Sequence, residues 1–390
     1  MFIFDDRQRE SIEKVAELCR KKGIKGYIVG GAVRDAFLKV RPRDIDMCFE
    51  EDPLSLIEEL APESFVYHDA FSTAAVTFSN GTEIDFIRCR KEVYERDGAL
   101  PTVIPSGIEE DLRRRDFTVN ALAYDVVSGK VIDPFGGADD IAEGRIRSVH
   151  SNSFREDPTR IFRAAKYAAR YGFGIEQADE IRKCISEGAF GTISSERYFN
   201  EVYSLCSESS WEAAVKICGR LGIFTLYGER LFRSSIFADY SQPDVRLLNL
   251  AWSLKDSSAV DRLAANSVAG KELREALKGF LKDELAPRLA AAFDNYEIYL
   301  ALKDSSAYDR VLLGFDSRLT YKLINYGRLM GVKLEIDGEY VKRAGLAEGK
   351  EIGRILQHVL MLKLNLGLEL EKKYFDENLG EILDVIKHKA

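Results

Sequence analysis

The chain has 390 residues, of which 46% are hydrophobic, 11% aromatic and 31% charged, and 56 Lys and Arg against 64 Asp and Glu leave a net charge of −8. This is the composition of a soluble globular protein long enough for two or more domains, and it excludes disorder and collagen-like repeats. No apolar run approaches the roughly 18 residues that span a bilayer, the opening MFIFDDRQRE lacks a signal-peptide pattern, and the acidic balance excludes a protein that coats nucleic acid unspecifically; a cytoplasmic, non-membrane chain with a local basic surface is expected.

In chain order, Ile12, Val15, Ala16 and Cys19 at helical spacing, with Gly23 as a stop, predict a helix over residues 8–22. Gly26-Tyr27-Ile28-Val29 reads as a short buried strand, Gly30-Gly31 as a tight turn, and residues 32–39 as a helix. Residues 43–50 alternate with period two, placing Ile45, Met47 and Phe49 on one face and Asp44 and Asp46 on the other. Residues 74–78 and 83–88 predict a hairpin around Asn80-Gly81, a pair that suits a type I′ turn, with Glu83, Asp85 and Ile87 sharing one face of its second strand. The stretch 91–108, which holds Asp97-Gly98-Ala99-Leu100-Pro101, reads as a mobile loop. After residue 150 strand signals fade. Asp157-Pro158 opens a helix whose stripe of Ile161, Ala164, Ala165 and Ala168 is flanked by Arg160, Arg163, Lys166 and Arg170. Amphipathic helices follow from about 210 to 390, so an early α/β domain precedes a helical remainder.

Six scattered cysteines form no C-x-x-C pair and the four histidines show no H-E-x-x-H spacing, so reduced, mostly buried thiols are expected and histidine-centred metal chemistry is not. The carboxylates offer a different chemistry. Asp44 and Asp46, at i and i+2 on a strand, project side by side about 6–7 Å apart, close enough for both to ligate magnesium ions of a two-metal site. Alone, such a pair is usually the wet face of an edge strand. Here it follows a strand, glycine turn and helix that expose backbone N–H groups to an anion, with Arg34 as a charged fork. Asp85 is a candidate third carboxylate, and Glu83 on the same face stays open. The charged run 109–116 leads directly into Phe117-Thr118-Val119, which couples its arginines to a buried anchor.

Taken together, Gly30-Gly31-Ala32-Val33-Arg34-Asp35 with Asp44-x-Asp46, then Arg114-Arg115-Asp116-Phe117-Thr118-Val119-Asn120-Ala121, then Glu156-Asp157-Pro158-Thr159-Arg160, resemble three signature motifs of class II tRNA nucleotidyltransferases, the CCA-adding enzymes, and the related bacterial poly(A) polymerases. Asp133-Pro134-Phe135-Gly136-Gly137 and Glu196-Arg197 with Glu201 fit the same family, so the likeness covers about residues 26–205, with a fainter echo at residues 336–338 and 349–353. The resemblance implies an α+β chain: a nucleotidyltransferase α/β head domain over 1–148, a helical neck that recognises the base over 149–210, and a helical body and tail that bind tRNA over 211–390. It implies template-independent addition of C and/or A to the tRNA 3′ end from CTP and ATP, with Mg²⁺ as cofactor. Asp44 and Asp46 would hold the metal and Asp85 would complete the catalytic trio. Gly31, Arg34, Arg115, Asp116 and Asn120 would contact the nucleotide, and Asp157 and Arg160 would read the base, with Arg163 reaching in from the same helix. Lys166 and Tyr167 stand where the family often has arginine and phenylalanine, and Lys166 is assigned at best a phosphate or RNA backbone contact. A-adding, CC-adding and poly(A)-adding enzymes, and an inactive RNA-binding relative, remain open alternatives.

The base-reading pair also has a physical logic of its own. Cytosine and adenine each present an exocyclic amino donor beside a ring-nitrogen acceptor, which a carboxylate and a guanidinium satisfy together. Uracil and guanine place a carbonyl where the amino group would be, leaving buried acceptors unpaired at a cost of about 1–3 kcal/mol each.

Overall fold

The computed structural model describes residues 2–69, 72–228, 238–345 and 349–388. The chain separates into two compact units, Met1–Thr225 and Leu226–Ala390.

The first unit opens with helix α1 (Asp6–Lys22), two residues longer than its apolar spacing predicts because Asp5 and Gln8 close a reciprocal capping box. It ends at Gly23 in the left-handed conformation. Strand β1 (Gly26–Val29) is buried throughout and feeds α2 (Gly31–Phe37). Then come β2 (Asp46–Phe49), α3 (Leu54–Leu60), β3 (Ser64–His68), β4 (Thr73–Thr77) and β5 (Glu83–Arg88). An antiparallel ribbon of β6 (Arg90–Val93) and β7 (Thr102–Pro105) follows, then α4 (Ile108–Arg113), β8 (Ala123–Asp125) and β9 (Val131–Ile132). The ribbon replaces part of the loop expected over 91–108. The main sheet has the order β3-β4-β5-β2-β1-β8-β9, with β2 and β5 parallel and the other neighbours antiparallel. Consequently Asp46 at the start of β2 lies directly opposite Asp85 in the middle of β5.

Two local readings are corrected. The acidic face of β2 is wet only at its beginning: Cys48, two residues beyond Asp46, is as fully buried as Met47 and Phe49. It packs with Ile108, Leu112 and Ala121, so α4 and the 118–121 turn cover that face where the aspartates end. The hairpin turn is not type I′, which needs positive φ at two successive residues. Gly81 has φ +79° and Asn80 does not share it. The Gly81 N–H donates to the Phe78 carbonyl and the Phe78 N–H to the Thr82 carbonyl, both at 2.8 Å, which is a three-residue loop with a left-handed glycine. Asn80 is thereby free to serve α1, donating from Nδ2 to the Arg7 carbonyl and the Ser11 hydroxyl.

The rest of the first unit is mostly helical: α5 (Gly137–Ala142), α6 (Ser153–Glu156), α7 (Thr159–Tyr171), α8 (Ala178–Ser186), α9 (Ser195–Ser207) and α10 (Trp211–Leu221). A two-residue parallel pairing of Arg145–Ile146 with Gly174–Ile175 interrupts it. Ile161, Ala164, Ala165 and Ala168 form the buried stripe of α7, and its small residues let α9 and α10 approach closely. Phe162, fully buried against Phe190, Tyr198 and Phe224, contributes about 1.5–3 kcal/mol by burial.

The second unit is built of helices from Pro243–Ser253 to Glu371–His388, and two of its apolar clusters can be followed among the described residues. One gathers Leu289, Leu302, Leu323 and Leu364; the other gathers Ile336, Val341, Ile355, Val359 and Phe375. Helix Gly349–Leu366 contributes to both. Among the described residues no helix is long and apolar enough to cross a membrane. All six cysteines are free and buried.

Candidate active site

Between β1 and α2 the two glycines have different duties. Gly30 has φ +64°, and a Cβ there would lie 2.6 Å from Nη1 of Arg115, so only glycine lets that guanidinium approach. Gly31 begins α2 and meets only ordinary contacts. Arg34 is buried rather than free: its Nε and Nη2 donate to Asp35 Oδ1 at 3.0 and 2.8 Å, and Nη1 donates to Asn120 Oδ1. Tyr171 and Tyr167 cover the guanidinium, with ring centroids 4.8 and 5.6 Å away.

Asp46 and Asp85 are both held above the ordinary carboxylate range. For Asp46 burial is the main cause; Arg115 opposes it, and the charges of Asp85 and Asp44 add to it. For Asp85 burial comes first, followed by Asp44 and Glu83. Asp44 precedes β2 and is exposed. Among the described residues no three His, Cys, Asp or Glu side chains close into a ready-made metal cage. The donor set nevertheless fits a hard divalent cation, because these are oxygen ligands whose mutual repulsion a positive ion would relieve.

The arginine run is organised by buried carboxylates. Asp111, fully buried, accepts from Arg114 Nη2 at 2.8 Å and from Arg115 Nη2 at 2.9 Å. Burial disfavours its charge, but the two guanidiniums outweigh that and lower its pKa. Asp116 accepts at Oδ1 from the Phe117 N–H and Asn120 Nδ2, and at Oδ2 from Arg163 Nε at 2.7 Å. Its pKa is likewise lowered, burial being overcome by Arg163 and Asn120. Asp116 thus ties the head motif to α7.

Asp157 closes α6 and caps α7, its Oδ1 accepting from the Thr159 N–H at 3.0 Å and hydroxyl at 2.6 Å. Arg197 of α9 donates to the same oxygen at 2.7 Å. Arg160, only 4% exposed, donates to Ser153 Oγ at 2.6 Å and to the Arg114 carbonyl at 2.8 Å. Lys166 is buried and donates to Ser204 Oγ on α9 at 2.9 Å, with burial lowering its pKa.

A cleft of about 350 Å³ brings together Asp46, Arg115, Asp116, Asn120, Asp157, Arg160 and Arg163. A second, of about 310 Å³, is lined by Gly31, Arg34 and Asp44 and shares Asp46 and Tyr167 with the first. Asp85 and Glu83 line neither; Asp85 enters through its pairing with Asp46, whereas Glu83 pairs only with Thr77. The cleft also holds Glu92 and Tyr94, which no motif named, and Glu201, which the family likeness named without giving it a role. Burial raises the pKa of Glu201, which Lys166 and Arg163 oppose. Its signal was the i, i+4 spacing with Arg197 that puts both on one face of α9.

One cleft therefore joins the strand-paired acid Asp46 to a helix N-terminus bearing a carboxylate and arginines, a set of groups suited to an anionic ligand with polar edges. Residues 26–147 match the poly A polymerase head domain. The A-adding tRNA nucleotidyltransferase of Halalkalibacterium halodurans is 33% identical over 208 residues, 51% of this chain and 49% of that protein. The A-adding tRNA nucleotidyltransferase of Aquifex aeolicus is 30% identical over 372 residues, 86% of this chain and 44% of that protein. A solved CCA-adding enzyme without ligand superposes with a TM-score of 0.79 at 26% identity, covering 97% of this chain and 96% of that one. Residues 26–147 thus carry a poly A polymerase head domain, and the chain as a whole is similar to tRNA nucleotidyltransferases. It spans about half or less of the length of these curated relatives. Nucleotidyltransferases of this family generally use divalent metals.

Proposed function

We propose that the chain is a cytoplasmic, template-independent tRNA nucleotidyltransferase that adds C and/or A to the tRNA 3′ end from CTP and ATP. The observation that carries this reading is the single cleft running from Asp46 to Asp157 and Arg160. Asp44 and Asp46, with Asp85 as third carboxylate, would hold Mg²⁺, which when bound supplies Lewis acidity at the attacking 3′-hydroxyl and offsets charge on the α-phosphate. The hydroxyl attacks in line and pyrophosphate leaves, a reaction governed by positioning and charge rather than covalent catalysis.

Gly31, Arg34, Arg115, Asp116 and Asn120 bind triphosphate and ribose. Asp157, Arg160 and Arg163 hold the base. Asp157 Oδ1 is occupied by three donors, which leaves Oδ2 to accept the exocyclic amine of cytosine or adenine. In this reading residues 1–148 are the head, 149–210 the neck and 211–390 the body and tail that grip tRNA by shape and backbone contacts. An enzyme adding only the terminal A is the second reading, favoured by the two A-adding relatives above.

The test incubates the protein and Mg²⁺ with tRNAs ending before the first C, after one C and after CC, supplying CTP and ATP separately and together. Extension of all three to CCA is expected. Extension of the CC-ending tRNA alone would select the A-adding reading, and incorporation into none would overturn both.

A further inference from the structure

Arg197 and Gly98, each distant in sequence, meet the chain at Glu156 and Asp157. Arg197 forks between two acceptors, Nη2 donating to Asp157 Oδ1 and Nη1 to the carbonyl of Gly98, each at 2.7 Å. The Gly98 N–H donates to the carbonyl of Glu156, the residue before Asp157, at 3.1 Å. Gly98 itself has φ +71°, and a Cβ there would lie 2.0 Å from Thr192 Oγ1 and 2.8 Å from the Thr192 carbonyl. The segment between β6 and β7 is therefore seated on the helical neck at a point only glycine allows.

The two donors from Thr159 are local and travel with Asp157. Arg197 comes from another helix, so it is the contact that fixes the carboxylate relative to the rest of the cleft. We propose that Arg197 is the positioning residue for base selection: its fork, anchored on the Gly98 carbonyl, holds the Asp157 carboxylate where it accepts an amino group and rejects a carbonyl. The proposal rests on the nucleotidyltransferase reading and deepens it, for it names what makes Asp157 discriminating. A carboxylate released from Arg197 turns about its side-chain bonds, and uracil or guanine then meets a displaced acceptor instead of a fixed one. A lysine reaches one acceptor but does not bridge two, so it restores only part of the hold.

The experiment measures kcat and KM for CTP, ATP, UTP and GTP with the full chain, Mg²⁺ and a tRNA primer. It compares the parent with Arg197→Ala, Arg197→Lys, Gly98→Ala and the Arg197→Ala/Gly98→Ala double variant. Discrimination against UTP and GTP should fall about tenfold or more in Arg197→Ala, with the KM for CTP or ATP raised and the KM for tRNA unchanged. Arg197→Lys should be intermediate. Gly98→Ala should move in the same direction, and the double variant should be no worse than Arg197→Ala because both act through one contact. Circular dichroism reports folding, and Arg197→Lys carries the test if the alanine variant does not fold. Parental discrimination in a folded Arg197 variant, or additive losses in the double variant, would overturn the proposal. A parent that incorporates neither CTP nor ATP would remove the nucleotidyltransferase reading and this inference with it.

Discussion

At the scale of residues, the acid cluster and the arginine-bound carboxylates pull stability in opposite directions. Asp46 and Asp85 have folded-state pKa values above their unfolded ones, so in metal-free protein they cost stability at neutral pH, and the cost vanishes as pH falls through the folded values. Asp111 and Asp116 are lowered; their contribution is present above the unfolded pKa and lost as pH falls through the folded one. Asp46→Asn should therefore raise the melting temperature in chelator by about 2 °C. It should also abolish the rise that Mg²⁺ gives the parent, about 2.7 kcal/mol at a hundredfold excess over Kd. Calorimetry with and without Mg²⁺ checks both, and a lower melting temperature in chelator would contradict the repulsion. Base reading separates from metal binding at the same scale: Asp157→Ala should relax the choice among nucleotides while the Mg²⁺-dependent rise persists. Selectivity equal to the parent's would remove Asp157 from the reader role.

At the scale of elements, the glycine turn shows what sequence patterns reveal and where they stop. Gly30-Gly31 was legible as a turn between strand and helix, but which glycine is indispensable depends on Arg115, more than eighty residues later in the chain. Gly30→Ala should destabilise the fold by about 1–3 kcal/mol through positive φ and collision with that guanidinium. Gly31→Ala should cost less; denaturant melts rank the two, and equal losses would contradict the geometry. The same limit recurs elsewhere. The β2 alternation identified Asp44 and Asp46, yet the burial of Cys48 depends on α4, more than fifty residues later. Strand β3 is exposed along nearly its whole length, so no two-fold pattern marks it; its pairing with β4 holds it at the sheet edge. Arg34 and Lys166 were visible as cations near the site, but their partners Asn120, Tyr171 and Ser204 are set by tertiary packing. Periodicity finds the elements and the acids, whereas the destination of each guanidinium is a property of the assembled fold.

At the scale of the whole molecule, every residue that lines the two clefts lies at or before Glu201, inside the unit that ends at Thr225. That unit has its own sheet, its own buried aromatics and helices α7, α9 and α10 packed together, so nucleotide binding should not need residues 226–390. The second unit has apolar clusters of its own, and none of its described residues lines either cleft, which leaves the grip on RNA as its proposed task. With a net charge of −8, the chain cannot rely on bulk attraction to phosphate, and few counterions should be released on binding. A fragment of residues 1–225 should therefore bind CTP and ATP with a Kd within about threefold of the full chain, and lose tRNA affinity by more than tenfold. The full chain should show a shallow salt dependence for tRNA, corresponding to a few phosphate contacts rather than many. Calorimetric titration of nucleotides and filter binding of tRNA over a salt series measure these quantities. A folded fragment that keeps full tRNA affinity would place the RNA contacts on the head and neck, and one that binds no nucleotide would mean the cleft needs the second unit to take shape.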